Sequence, residues 1–209
     1  MKLLRGVEMA NDKRAAQTEH KIEEALTVLI NQKGFNNISV TDITREAKIS
    51  RGTFYIHYLD KVDLLNHVED NLLQKLQKIL EEVIPRAIEQ QRDGAWEVPY
   101  KAVISTLNQF LVDRELIIAL LSTRGDPAFL TRVKDLFSQE IHRDINSYQG
   151  TISYDNNIPP DYIEEIVLNA LMGIVLHWLS KDQPESPDEV AQIIMYYCET
   201  APKEWITID

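Results

Sequence analysis

Two short stretches hold most of the polar chemistry in the N-terminal third of the chain. Ser39 and Thr41 lie in "NISVTDITREAK", and Ser50, Arg51, Gly52, Thr53, Tyr55, His57, Tyr58 and Lys61 crowd into "SRGTFYIHYLDK". Donors, cations and flat rings at this density suit phosphates and base edges. An arginine can pair bidentately with guanine O6 and N7, and a threonine can meet a thymine methyl. Ser50 stands where a helix would begin, and the free N–H groups of a helix start favour an anion. Gly52 lets the backbone approach a partner closely. Tyr55, His57 and Tyr58 offer hydrogen bonds and flat surfaces, and Lys61 adds a charge for a phosphate. Ser39 and Thr41 can anchor a neighbouring phosphate. Phe54 is free to turn inward while Thr53 and Tyr55 point away. On spacing alone, a capped surface turn stapled by its own aromatic rings stays open as an alternative.

Other chemistry is hard to find. No GxGxxG, Walker A loop, GxSxG or HExxH occurs. The histidines His20, His57, His67, His142 and His177 are scattered singly, and Cys198 has no partner for a disulfide or a CxxC site. Metal ligands come in clusters. No catalytic residues, no metal site and no cofactor are therefore expected, and the chain does not read as an enzyme.

The elements that must position the polar stretches are helical. Ile22, Ala25, Leu26, Leu29 and Ile30 form one apolar stripe in a helix starting near Thr18, and Gly34 is its stop signal. Ser39, with Asp42 three residues on, has capping-box spacing for a short helix buried through Ile43 and Ala47. Ser50 caps a second short helix. Two short helices joined by a tight turn after a longer one make a helix-turn-helix. A long helix follows from about Lys61 to Pro85, and others are expected over 99–112, 113–123, 127–148, 161–180 and from Ser186, with a loop over 149–160. Residues 1–16, mixed in charge and without periodicity, read as a flexible arm. The expected fold is all-α: an N-terminal three-helix helix-turn-helix domain over 17–61, and a C-terminal helical ligand and dimerisation bundle over 62–209.

Charge divides the chain in the same place. Residues 1–61 carry 10 Lys and Arg against 8 Asp and Glu, a net +2, whereas 62–209 carry 12 against 25, a net −13. Only the N-terminal part could face a phosphate backbone. No uninterrupted apolar run is long enough for a membrane span, and the N-terminus lacks the apolar run of a signal peptide, so a cytoplasmic protein with no membrane partner is expected.

The stretch "TVLINQKGFNNISVTDITREAKISRGTFYIHYLDKVDLL" resembles the DNA-binding region of TetR-family transcriptional regulators. Gly34, Phe35, Ser39, Val40, Ile43, Ser50, Gly52, Thr53, Phe54, Tyr55, His57, Tyr58, Lys61, Leu64 and Leu65 fall on that family's pattern. One departure is Lys48, where the family usually has glycine in the turn; its cation could also reach DNA. "LLSTRGDPAFLTRVKDLF" and "GIVLHWLSKDQPESPDEVAQII" resemble, more weakly, the branch with regulators of dihydroxyacetone kinase operons.

The resemblance implies a homodimer reading a palindromic operator on double-stranded DNA as a ligand-responsive repressor, although the weaker resemblance is to a branch that also includes activators. It implies a dimer interface through Ile163, Ile166, Val167, Ala170, Leu171, Ile174, Trp178, Val190 and Ile194, and a pocket for a small-molecule effector near Trp96, Tyr100, Phe110, His142 and Trp178. The competing reading is an activator, or a helical module controlled by a protein co-regulator.

Overall fold

The computed structural model describes residues 2–91, 100–147, 152–154, 158–200 and 206–208. The long elements are all helices: α1 (Lys2–Lys33), α2 (Val40–Glu46), α3 (Arg51–His57), α4 (Lys61–Gln91), α5 (Tyr100–Val112), α6 (Arg114–Leu121), α7 (Phe129–Ser147), α8 (Pro160–Ser180) and α9 (Pro187–Thr200). A 3-10 turn, Phe35–Asn37, joins α1 to α2. The all-α class therefore holds. Among the described residues its one addition is a small antiparallel ribbon that pairs Ile152–Tyr154 (β1), inside the stretch expected to be loop, with Ile206–Ile208 (β2).

Two helix boundaries depart from expectation. Residues 2–16, in the stretch expected to be a flexible arm, are helical, because α1 begins at Lys2. Its Leu, Ala, Met, Lys and Glu residues are good helix formers, so propensity carries the helix where no apolar stripe does. The second departure is α4, which runs through Pro85 to Gln91 instead of stopping there. A proline inside a helix removes one N–H donor and crowds the preceding turn, yet a long packed helix can absorb that loss.

The chain packs as two compact units, Met1–Asn71 with Glu115–Phe129, and Leu72–Arg114 with Leu130–Asp209. The division expected at residue 61 is not the one that packing makes. The first turns of α4, most of α6 and the loop after it belong with the helix-turn-helix. In that loop Arg124 accepts a 2.8 Å hydrogen bond at its carbonyl from the Phe35 amide. The Arg124 guanidinium donates to the Asn31 carbonyl at 3.2 Å. At Gly125 a Cβ would lie 2.1 Å from the Leu120 carbonyl oxygen, so no side chain fits where the loop folds back on α6. The core of this unit is the predicted stripe of α1, with Ile22, Leu26 and Ile30 fully buried, closed by Phe35, Ile38, Ile43, Phe54 and Leu64.

In the second unit α5 packs on α9, and the Tyr100 hydroxyl donates to the Asp188 carbonyl at 3.2 Å. The end of α8 is held by Arg114, which donates to the carbonyls of Leu179 (2.9 Å) and Lys181 (2.6 Å), groups that a helix terminus leaves without partners. By length and composition alone α8 could cross a membrane. Polar side chains within it are bonded to α7: Lys134 donates to Asn169 at 2.6 Å, and the Ser138 hydroxyl donates to Glu164.

Candidate nucleic-acid interface

Short helices need strong ends, and both reading-head helices have them. Ser39 and Asp42 form a reciprocal capping box at the start of α2: the Ser39 hydroxyl accepts from the Asp42 amide at 3.2 Å, and the Asp42 carboxylate accepts from the Ser39 amide at 2.9 Å. Lys33 and Arg45 reach the same carboxylate at 2.9 and 2.8 Å. The Ser39 hydroxyl first, and Lys33 next, hold the Asp42 carboxyl far below the usual carboxylate range. The chain leaves α2 through Lys48, whose φ of 55° lies in the left-handed region. For a residue other than glycine that conformation costs on the order of 1–2 kcal/mol. The turn closes with the Ile49 amide donating to the Thr44 carbonyl at 3.0 Å. Ser50 then caps α3 by accepting from the Thr53 amide at 3.0 Å.

The faces of α3 follow from its inward anchor. Phe54 is fully buried and meets the Tyr58 ring at a centroid distance of 5.7 Å. Rotating 100° per residue from Phe54 places Gly52 and Ile56 on the opposite, outermost line, with Arg51 and Tyr55 on one flank. All four are exposed. The Arg51 guanidinium extends along that flank and donates to the Tyr55 hydroxyl at 3.4 Å. Ile56 is absent from the sequence expectation, which sought polar atoms. The signal was available in its phase, two residues after the buried Phe54.

The eleven expected contact residues separate by what their atoms already do. Arg51, Gly52 and Tyr55 lie outward on α3, Thr53 is half-buried beside them, and Thr41 and Lys48 are exposed. Ser39 and Ser50 use their hydroxyls in the caps. Three others turn toward the fold. His57 points its Nδ1 at Glu19 of α1, 3.1 Å away, and its side chain is only 11% exposed. Tyr58 is buried between Phe54 and His67; burial, reinforced by Glu23, Glu19 and Asp63, pushes its hydroxyl pKa well up. The Lys61 ammonium donates to the carbonyls of Phe35, Asn36 and Ile38 at 3.0, 3.1 and 2.8 Å, and sits 4.8 Å from the Phe35 ring centroid. An ammonium has three donors, and all three are engaged here. Lys61 thus fastens the turn after α1, and the phosphate role expected of it gives way to a structural one.

The residues expected to line an effector pocket do not share one set of contacts. Trp96 lies outside the described residues. Tyr100 is tied to α9 through Asp188, Phe110 is half-buried on α5, and His142 pairs with Glu164 at 3.0 Å. Trp178 is a core anchor, 2% exposed, with its indole N–H on the Glu185 carbonyl at 2.8 Å. Among the expected interface residues Ile163, Trp178, Val190 and Ile194 are likewise buried inside their own chain. The inward line of α8 runs through Leu168, Met172 and Val175. The opposite line carries Tyr162 and Ile166, 62% and 42% exposed, and Gly173, where a Cβ would meet nothing within 4 Å. Val167, Ala170, Leu171 and Ile174 are half-buried along the flanks, and Ile193 and Tyr196 extend the exposed apolar surface on α9.

A helix-turn-helix whose second helix turns an open outer line to solvent, joined to a helical body, defines a DNA-binding transcriptional regulator. Residues 22–68 match the model for bacterial regulatory proteins of the tetR family, and 97–200 match a transcriptional regulator C-terminal region. The chain is 23% identical over 187 residues to the HTH-type transcriptional regulator YxbF of Bacillus subtilis, covering 83% of this chain but 43% of that longer protein. It is 26% identical to the HTH-type transcriptional regulator SAB2452 of Staphylococcus aureus, covering 76% and 80% of the two chains. Among solved structures, NalD, the secondary repressor of the MexAB-OprM multidrug efflux pump in Pseudomonas aeruginosa, aligns with a TM-score of 0.60 at 19% identity over 91% of this chain and 97% of its own. The dihydroxyacetone kinase operon activator DhaS aligns with a TM-score of 0.57 at 16% identity over 90% and 97%. The chain belongs to the TetR family of transcriptional regulators, DNA-binding proteins and not enzymes.

Proposed function

We propose that the protein binds a palindromic operator as a homodimer and represses transcription until an effector releases it. The observation that carries this reading is the outer line of α3, where Gly52, Ile56, Arg51 and Tyr55 are all exposed on a helix held by caps at its start and by Phe54 on its inner side. Such a helix fits a major groove, and two-fold symmetry of the protein implies two-fold symmetry of the site. The outward line of α8 supports the dimer. Tyr162, Ile166 and Gly173 lie open on α8, and Ile193 and Tyr196 are exposed on α9, apolar surface of the kind that partners cover.

A gel shift with the chain's own upstream DNA tests the reading. Retarded bands with a steep salt dependence, competed by the same fragment and not by random DNA, are expected. Failure to bind any DNA at low salt refutes it. A second reading, activation under a protein co-regulator, draws support from Tyr100 and Trp178, whose polar groups are each engaged within the fold. Reporter expression in a deletion strain separates the two: repression predicts a rise and activation a fall.

A further inference from the structure

We infer that Ile56 reads a thymine methyl group in the major groove, so that each operator half-site contains a thymine recognised by its methyl rather than by hydrogen bonds. The inference rests on the DNA-binding reading above and sharpens it. Ile56 is 80% exposed, an unusual position for a large aliphatic side chain on a helix whose Phe54 is fully buried. It lies on the outermost line of α3, opposite the inward ring of Phe54, with the polar flank of Arg51 and Tyr55 on one side. One turn earlier on that line stands Gly52. A Cβ there would meet only the Ser50 hydroxyl, at 3.6 Å, so this position is bare because of the residue type and not because of crowding. An isoleucine is short and branched at Cβ. It touches a groove floor only if the backbone comes close, and an adjacent glycine permits that approach.

The apolar feature that base pairs present in the major groove is the thymine 5-methyl; their remaining features there are donors and acceptors that an isoleucine cannot engage. Arg51, on the flank and extended toward Tyr55, is placed for a neighbouring base or phosphate. The outer line thereby divides its work, with an apolar contact at its centre and polar contacts beside it. Leu59, equally exposed, lies beyond the end of α3 in the turn to α4, where its amide donates to Asp63 at 2.8 Å.

The test uses the full chain. Its preferred site is selected from random duplex DNA, and each thymine of one half-site is then replaced by uracil, which removes the methyl and keeps every hydrogen-bonding atom. The wild type is expected to lose about four-fold in affinity at one position, the worth of burying one methyl. Ile56→Ala is expected to bind the thymine and uracil sites equally well, with an unchanged thermal midpoint because the side chain supports no packing. Wild type indifferent to every uracil substitution overturns the proposal. So does Ile56→Ala with undiminished sensitivity, or Ile56→Ala with unchanged affinity on every site, which would leave the exposed isoleucine to a protein partner. Failure of the wild type to enrich any sequence defeats the DNA-binding reading itself, a result distinguishable from the others.

Discussion

Replacing Lys61 by methionine separates two roles that the sequence cannot distinguish. The methionine keeps most of the stem and removes the ammonium. Three carbonyl acceptors then lose a charged donor, those of Phe35 and Ile38 partly buried and that of Asn36 exposed. A hydrogen bond to a charged group is worth roughly 1.5–3 kcal/mol net. The exposed Asn36 carbonyl can turn to water, and the ammonium recovers hydration in the unfolded chain, so simple addition overstates the loss. Counting the two partly buried acceptors at the low end gives about 3 kcal/mol. For a chain of this size that corresponds to a fall of roughly 6–12 °C in thermal midpoint. Denaturant unfolding of wild type, Lys61→Met and Lys61→Arg measures it, and the arginine is expected to restore part of the loss. DNA titrations at several salt concentrations run alongside, and the slope of log affinity against log salt is expected to stay unchanged. Stability within about 0.5 kcal/mol of wild type, together with a slope reduced by about one ion, would refute the structural assignment and restore Lys61 as a phosphate contact.

Three further outcomes follow from the same geometry. Lys48→Gly relieves the left-handed φ and should stabilise the protein by about 0.5–1 kcal/mol in urea unfolding, the strain relieved outweighing the extra freedom glycine gives the unfolded chain. The Asp42 carboxyl is depressed by the Ser39 hydroxyl and Lys33, so its contribution is present above the unfolded carboxylate pKa of roughly 4 and is lost as pH falls below that value. Asp42→Asn should flatten the acid limb of stability between about pH 5 and 2, and an unchanged limb contradicts the assignment. Gly173→Glu places a charge on the outward line of α8 where the protomer has room. Light scattering should then give a folded monomer with intact helical circular dichroism, whereas a persistent dimer removes α8 from the interface.

Much of the reading head was legible because its signals are local. The stripe of Ile22, Leu26 and Ile30, the Ser39–Asp42 spacing, the Ser50 cap and the inward Phe54 each act within one or two helical turns. Residue type and period therefore determined the helices, the turn between α2 and α3 and the capped start of α3. What a polar side chain does with its atoms was not legible. Lys61 finds its carbonyls 23 to 26 residues away in sequence and His57 finds Glu19 at a separation of 38, distances that only folding closes. The same holds for α8, whose apolar residues circle the helix in sequence and divide into a packed line and an outward one only when α7 and α9 are in place. It holds also for the loop around Arg124 and Gly125, a break in the sequence that becomes part of the helix-turn-helix unit through the bonds of Arg124 to Phe35 and Asn31. Local propensity names the elements, but a donor reaches whichever acceptor the fold brings within 3 Å, and period alone contains no record of that choice.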